Sequence, residues 1–438
     1  MSYITKRTGS QYSAANAWNA NNNGQLNNNN KRNGNRVVAV SDFQMYNLFV
    51  ENMFAAYYEC RRNKRRTHSE TQYEMDGIRN TLQLAEDVWN YRYVISPSIC
   101  FIVTRPTRRE VFAADFRDRI LDTWVAQRIE RIFEHHLHDC IFANRKGKGT
   151  SAAIRRVQED IIACTDNYTK DAWIYKFDIQ GFFMSIDKRI LWDRLRPVLE
   201  EEYREWDKDY LMYVIEKRIF NRPQEGCIKV CAEEEWALLP ANKSLFNQDE
   251  WHGLPIGDLL SQMLVGFFII GFIDFLKSLG FEYISNYVDD FVIISPSKDK
   301  ILESIPKIRE FLKTMQLTLH PRKCYIQHYT KGVAFLGAII KPHRIYPGER
   351  LRRNVLSLRL PRKLKDCLPS VNSYLGLLRH LTSRCLRQVI ADRVFARFHK
   401  RVYFSRDFLK MAVKRSTRKE EKERRKSCGL EVYYLSRL

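Results

Sequence analysis

Residues 284–294 read Ile-Ser-Asn-Tyr-Val-Asp-Asp-Phe-Val-Ile-Ile, so two adjacent carboxylates, Asp289 and Asp290, sit between β-branched and aromatic runs. Apolar runs of this kind are strand-like. A tight turn between two strands pushes both acids out at one edge. Like charges there repel and raise one pKa, unless a divalent cation makes both charges favourable. Taken alone, such a pair is more often a plain surface turn. A second strand-plus-acid element upstream weighs against that: Ala172-Trp-Ile-Tyr-Lys-Phe177 runs into Asp178 and on towards Asp187. Three carboxylates on neighbouring strand ends suit two Mg²⁺ ions roughly 3.5–4 Å apart, the arrangement used for in-line phosphoryl transfer.

Tyr287-Val-Asp-Asp290 resembles the palm motif of reverse transcriptases, and Phe177-Asp-Ile-Gln-Gly-Phe-Phe183 resembles its partner. Viral RNA replicases usually carry Gly-Asp-Asp at the first of these, so Val288 is informative. Other blocks follow in the family's order over residues 100–340. Arg109-Glu-Val-Phe-Ala-Ala-Asp-Phe-Arg-Asp-Arg119 resembles the fingers segment. Leu254-Pro-Ile-Gly-Asp-Leu-Leu-Ser-Gln262 resembles the motif before the catalytic hairpin. Leu317-Thr-Leu-His-Pro-Arg-Lys323 and Phe335-Leu-Gly337 resemble the segments after it. The resemblance implies an α+β, right-hand polymerase fold with fingers, an antiparallel palm sheet and a helical thumb.

One block speaks to the subtype. Group II intron and retroviral enzymes carry a Gln-Gly…Ser-Pro pattern where this chain has Ile256-Gly257…Ser261-Gln262. That form resembles the reverse transcriptases of diversity-generating retroelements, which copy a template-repeat RNA into cDNA with errors at adenines. The cDNA then replaces a variable repeat in a target gene. In the wider family the Gln contacts the incoming nucleotide. Polar contacts discriminate far better than an apolar wall, so Ile256 implies a laxer site. The alternative is that Ile256 only packs under the strand.

The resemblance also assigns roles. Asp178, Asp289 and Asp290 are the catalytic acids and, with the main-chain carbonyl of Ile179, the ligands of two Mg²⁺ ions; Asp290 ranks third. Arg109 matches the fingers arginine that grips the triphosphate, where a planar, bidentate guanidinium is suited. The second basic group the family expects there is missing, since Thr107 stands in its place, so Arg108 or Arg105 takes that part. Phe183 matches the aromatic gate that rejects a ribose 2′-hydroxyl, with a buried core Phe as the alternative. Ile256, Gly257 and Gln262 complete the dNTP pocket. Lys323 matches the lysine proposed to protonate pyrophosphate, and Phe335, Leu336 and Gly337 the primer grip. Implied partners are template RNA, primer or cDNA, dNTPs, and a small, basic, oligomeric accessory variability determinant protein.

From Asn16 to Asn35 there are eleven asparagines in twenty residues. Such a tract has no apolar periodicity, so residues 1–40 are expected to be a disordered leader. It is either a low-complexity tail or, by the resemblance, a translated piece of template, because variable codons in these systems are often AAY and AAY encodes Asn.

At 438 residues the chain can bury a large core. Its net charge is +22, and from Lys341 onward 27 basic residues face 8 acidic ones. An excess of 19 there is the footprint of a surface that tracks a polyanion. Membrane-surface binding is the rival. Met263 to Ile273, however, is only eleven residues and ends at Asp274, too short to span, and no polar-to-apolar signal pattern opens the chain. No membrane is expected. Ten cysteines without a paired framework suit a reducing cytoplasm, that of a bacterial or phage-infected cell. Glu134-His-His-Leu-His-Asp-Cys140 is rich in ligands and would place His135 and His138 on one helical face, but solvated histidines are the commoner reading.

Four regions follow: the leader, 1–40; N-terminal helices and fingers, 41–170; the palm, 171–340, with an insertion of unassigned role near 223–253; and a basic helical thumb and tail, 341–438. Residues 41–95 read as helical and include a basic run with Arg61, Arg62, Lys64, Arg65 and Arg66. Residues 97–116 read as a hairpin, and Asp118 to Leu137 as a helix. Asn144-Arg-Lys-Gly-Lys-Gly-Thr150 is a basic, glycine-bearing loop at a helix start. Its Lys146 and Lys148, like the earlier basic run, are candidate RNA contacts. Gly257 to Leu279 reads as one long apolar helix. Two rivals stay open: a group II intron-like or retron-type reverse transcriptase, and a catalytically silent palm-fold RNA-binding protein. A maturase extension and the retron Val-Thr-Gly triplet are not evident, and all three acids are present.

Overall fold

The computed structural model describes residues 16–20, 26–30, 42–62, 67–104, 107–414 and 416–417. Lys64, Arg65, Arg66 and Arg105, the remainder of the leader and the charge-dense tail beyond residue 417 lie outside the described residues. Strands β1 (Asn16–Ala20) and β2 (Leu26–Asn30) pair antiparallel, with Asn16 opposite Asn30. These ten residues of the leader are assigned to a hairpin. Ladder hydrogen bonds come from the backbone and need no apolar period, although an isolated two-stranded hairpin is marginally stable.

Helices Asp42–Arg61, His68–Glu74 and Gly77–Trp89 lead into β3 (Ile99–Val103) and β4 (Arg109–Ala113), an antiparallel pair with Val103 opposite Arg109. Asp115 caps the next helix, Phe116–His136, by accepting from the Arg117 amide. Helix Thr150–Cys164 precedes β5 (Trp173–Asp178). Helices Phe182–Ser185, Lys188–Glu202 and Lys208–Phe220 follow. The 223–253 segment contains β6 (Ile228–Lys229), which joins β3 in parallel, and the short helix Glu233–Ala237.

After helices Leu259–Phe268 and Ile270–Ser278 come β7 (Tyr283–Tyr287) and β8 (Asp290–Ser295), helix Lys298–Thr314 and β9 (Tyr325–His328). Strands 7, 8, 5 and 9 form one antiparallel sheet in that order. Alternation along its strands divides the core. Tyr175, Phe177, Phe291 and Ile293 face the large cluster beneath, with Phe177 and Phe291 stacked 5.0 Å apart. Ile174, Val292 and Ile294 face the opposite cluster, built with Ile154, Val157 and Ile161 of helix Thr150–Cys164. With both faces covered, a one-residue slip of β5 against β8 would exchange the two sets, so the register is fixed by burial.

The expected single helix over 257–279 is two helices that meet at Ile269. Gly266 and Gly271 flank the break, and glycine in a helix interior costs about 1 kcal/mol relative to alanine. By length and composition alone, Leu259–Ser278 is apolar enough to cross a membrane, contrary to the eleven-residue reading. More than half of it is buried within the protein, where Leu264, Phe268, Phe272 and Ile273 are core residues.

Beyond the sheet, β10 (Val333–Phe335), β11 (Ala338–Lys341) and β12 (Arg344–Pro347) form a meander. Helical structure therefore resumes only at Glu349, eight residues into the region 341–438 read as a helical thumb. Helices Glu349–Leu356, Leu364–Leu378 and Arg384–Phe398, with the hairpin β13 (Val402–Phe404) and β14 (Met411–Val413), share a separate core around Val371, Leu375, Ile390 and Val394. The architecture is α+β, with the right-hand polymerase fold.

Candidate active site

Strands β5 and β8 bring the carboxylates together. Asp178 ends β5 directly opposite Asp290 at the start of β8, and Asp289 fills the two-residue turn before it. Val288, the first turn residue, has φ 60°. That conformation is strained for a β-branched residue. The buried Asn286 side chain donates to the Val288 carbonyl at 3.0 Å and braces the turn. The Ile179 amide donates to the Asp289 carbonyl at 3.1 Å, locking the two strand ends together.

Two lysines serve as countercharges. Lys323 donates to Asp178 at 2.7 Å, delivered by a segment that docks on β5 through the bonds from the Gln180 amide to Thr318 O and from the His320 amide to Asp178 O, both 2.8 Å. Lys176 donates to Asp290 at 2.9 Å. Lys176 was not foreseen, yet its signal was available. Residues 176 and 178 of one strand share a face. Among the described residues Asp289 has no lysine partner; burial, then the charges of Asp178 and Asp290, push its carboxyl up to about 6, against a smaller pull from Arg109. Three clustered hard oxygen ligands, one of them held high by burial and then by its neighbours, fit a hard divalent cation.

The expected pocket residues are held by backbone bonds and packing of their own. The amide of Phe112 on β4 donates to Ile256 O at 2.9 Å, and the Leu254 amide to Phe183 O at 2.8 Å. Gly257 has φ 112°, and a Cβ there would lie 2.7 Å from Val111 Cγ1 and 2.9 Å from Phe112 O, so only glycine fits. Phe183 is half-buried against both the large core and a small cluster of Cys100, Phe112, Met184 and Leu245, which Ile256 also touches. Gln262 lines a cavity of about 250 Å³ with Asn144, Lys146 and Met263, and its carbonyl accepts from Asn144.

Arg108, just before β4, has a protein partner of its own. The charge of Arg109 reaches Asp289, whereas Arg108 pairs with Glu235 of the 223–253 segment at 2.9 Å. Among the RNA candidates, Lys146 is exposed beside Glu130, while Lys148 is tied to Asp139 and lies over Phe142. Arg61 pairs with Glu74, and Arg62 with Glu59. Phe335 is buried, and Leu336 and Gly337, both at positive φ, form the turn between β10 and β11. His138 falls beyond its helix end and contacts Asp274 and Lys277 rather than sharing a helical face with His135. His136 is paired with Glu202.

A buried ion network was also missed. Arg218 holds Asp122 through two 2.8 Å bonds and reaches Asp258, next to Gly257, at 3.2 Å. Its members lie on segments far apart in sequence, so no local pattern announces it.

The family profile described as reverse transcriptase (RNA-dependent DNA polymerase) matches residues 106–340. No curated protein matches the chain. Among solved structures, telomerase from Candida albicans with a TWJ fragment of telomeric RNA is similar at 10% identity and TM-score 0.46, over 69% of this chain and 55% of that one. Telomerase from Candida tropicalis with the same kind of fragment gives 13% identity and TM-score 0.44, over 74% and 57%. The chain thus spans little more than half the length of these telomerases.

Proposed function

The chain belongs to the reverse transcriptase family, and from that premise we propose that it is an error-prone RNA-directed DNA polymerase of a diversity-generating retroelement. It copies a template-repeat RNA into adenine-mutagenised cDNA. The observation that carries the polymerase reading is the register of β5 and β8, which sets Asp178 opposite Asp290 with Asp289 in the turn. The subtype reading is supported by Ile256-Gly257 beside β4, where the polar group of the wider family is replaced by an apolar one.

Asp178, Asp289 and Asp290, with the Ile179 carbonyl, would hold two Mg²⁺ ions. When bound, these ions lower the pKa of the primer 3′-hydroxyl and neutralise charge on the triphosphate and pyrophosphate. Arg109 orients the triphosphate from β4. Phe183 occupies the space a ribose 2′-hydroxyl needs. Lys323, half-exposed and already within reach of Asp178, is suited to give a proton to the departing pyrophosphate. The basic C-terminal region binds the nucleic-acid backbone. An oligomeric, basic accessory protein remains the proposed partner.

Extension of a primed RNA with Mg²⁺ and dNTPs, followed by cDNA sequencing, tests both levels. No templated extension would remove the polymerase reading. Faithful copying of adenines would remove the retroelement subtype and leave the polymerase.

A further inference from the structure

We propose that the 223–253 insertion is the outer wall of the nucleotide pocket, with Ser244 and Phe246 as positioning residues that set sugar discrimination by holding β4 against Phe183 and Ile256. The proposal rests on the polymerase reading above and assigns a role to a segment that its sequence leaves blank.

The insertion is attached to the fingers sheet along a whole edge. The Ile228 amide donates to Ser98 O at 2.8 Å, the Val230 amide to Cys100 O at 3.1 Å, and the Ile102 amide to Cys231 Sγ at 3.2 Å. A second attachment lies on β4 itself. Glu110, adjacent to Arg109, is fully buried, and both of its bonds go to the insertion: Ser244 Oγ at 2.7 Å and the Leu245 amide at 2.8 Å. A buried carboxylate without those donors would bear its full desolvation cost, so the contact strongly favours one placement of β4. The ion pair of Arg108 with Glu235 pins the same strand from its start.

The insertion also supplies the packing behind the gate. Leu245 is buried with Cys100, Phe112 and Met184, and Phe183, Ile256, Trp236 and Phe246 close round them. Phe246 lies 6.0 Å from Phe112 and 5.6 Å from Trp236 between ring centroids. At its exit the insertion is stitched to the gate helix: the Gly253 amide donates to Ile186 O at 2.9 Å, one residue before the bond from Leu254 to Phe183 O. Gly253 is required at this approach, because its φ is 94° and a Cβ would meet Leu245 Cδ2 at 2.7 Å. Phe183, Ile256 and the strand of Arg109 thus share one support, contributed by residues that need not touch the nucleotide. An aromatic gate excludes a hydroxyl only while its backing is rigid, and small displacements of a positioned group are costly.

Steady-state extension of a primed RNA template with dATP or ATP, on the full chain, tests this in the Phe246→Ala, Ser244→Ala and Ser244→Thr variants. For Phe246→Ala and Ser244→Ala the preference for dATP over ATP should fall roughly tenfold or more, with KM for dATP raised and kcat little changed. Ser244→Thr retains the hydroxyl and should restore the preference. Hydrogen exchange at the Phe112 and Leu254 amides should quicken in both alanine variants. A lower melting temperature with unchanged KM and sugar preference would overturn the proposal and leave the insertion a structural brace. A wild-type protein without templated extension would overturn the polymerase reading, and the proposal with it.

Discussion

Lys176 donates to Asp290 across 2.9 Å, from the strand beside the one that carries the acid, and both side chains are largely shielded. The charge of Lys176 is therefore placed where a divalent cation would compete with it. Replacing it with an apolar side chain of similar length, Lys176→Met, makes the site more negative. The expected outcome is a severalfold lower half-saturating Mg²⁺ concentration for cDNA synthesis, measured by titration. An unchanged or raised value would show that Lys176 mainly positions Asp290.

Asp178→Ala, Asp289→Ala and the double change of Asp289 and Asp290 to Ala should each abolish Mg²⁺-dependent cDNA synthesis. Removing a ligand deletes stabilisation of transition-state charge that water in its place cannot restore. The fold should survive, because the carboxylates repel one another at the end of a sheet whose core lies elsewhere. Circular dichroism and primer extension together check this. Extension by the Asp178 variant would end the assignment.

Lys188 makes a stability prediction with a defined pH window. It is buried at the start of helix Lys188–Glu202, with its ammonium bonded to Asn221 O at 2.9 Å and Glu250 O at 3.4 Å. Burial, and then the charge of Arg222, lower its pKa from 10.5 to about 8, against smaller opposing effects of Asp249 and Glu225. Between those two values the unfolded chain binds more protons than the folded one, so stability rises with pH. The gain across the window is about 3 kcal/mol by linkage. Urea midpoints from pH 7.5 to 10.5 should show the rise in the wild type relative to Lys188→Met. Parallel profiles would mean that the folded lysine titrates normally.

The elements legible in the sequence are those whose signal is local. The turn acids and the two strands around them were readable, because the apolar runs and the Asp-Asp pair lie within eleven residues. The fingers hairpin was readable for the same reason. Arg108 was not: it and Arg109 look interchangeable until β4 opens at Arg109 and Glu235, 127 residues from Arg108, pairs with the residue before it. The role of the insertion was hidden likewise, since Glu110 and Ser244 meet only through the fold. The break at Ile269 escaped notice because hydropathy runs through it, and the β1–β2 hairpin because an asparagine-rich tract shows no apolar period.

Fidelity tests the subtype through Ile256. Its side chain is half-buried beside Phe112 and Leu245, and its carbonyl accepts the Phe112 amide, so the backbone of the loop is held whatever side chain it bears. Ile256→Gln places an amide at the same point. A buried hydrogen-bonding group penalises any base-pair geometry that leaves it unsatisfied, by about 1–3 kcal/mol. Isoleucine imposes only shape, and shape separates similar geometries weakly. Misincorporation opposite template adenines should therefore fall more than opposite other bases. Some activity should be lost as well, since the amide enters a packed cluster. Sequencing of cDNA made by both enzymes on one adenine-rich template decides it. Equal error rates at adenines would make Ile256 a packing residue and leave Gly257 to Gln262 as the remaining support for the retroelement reading.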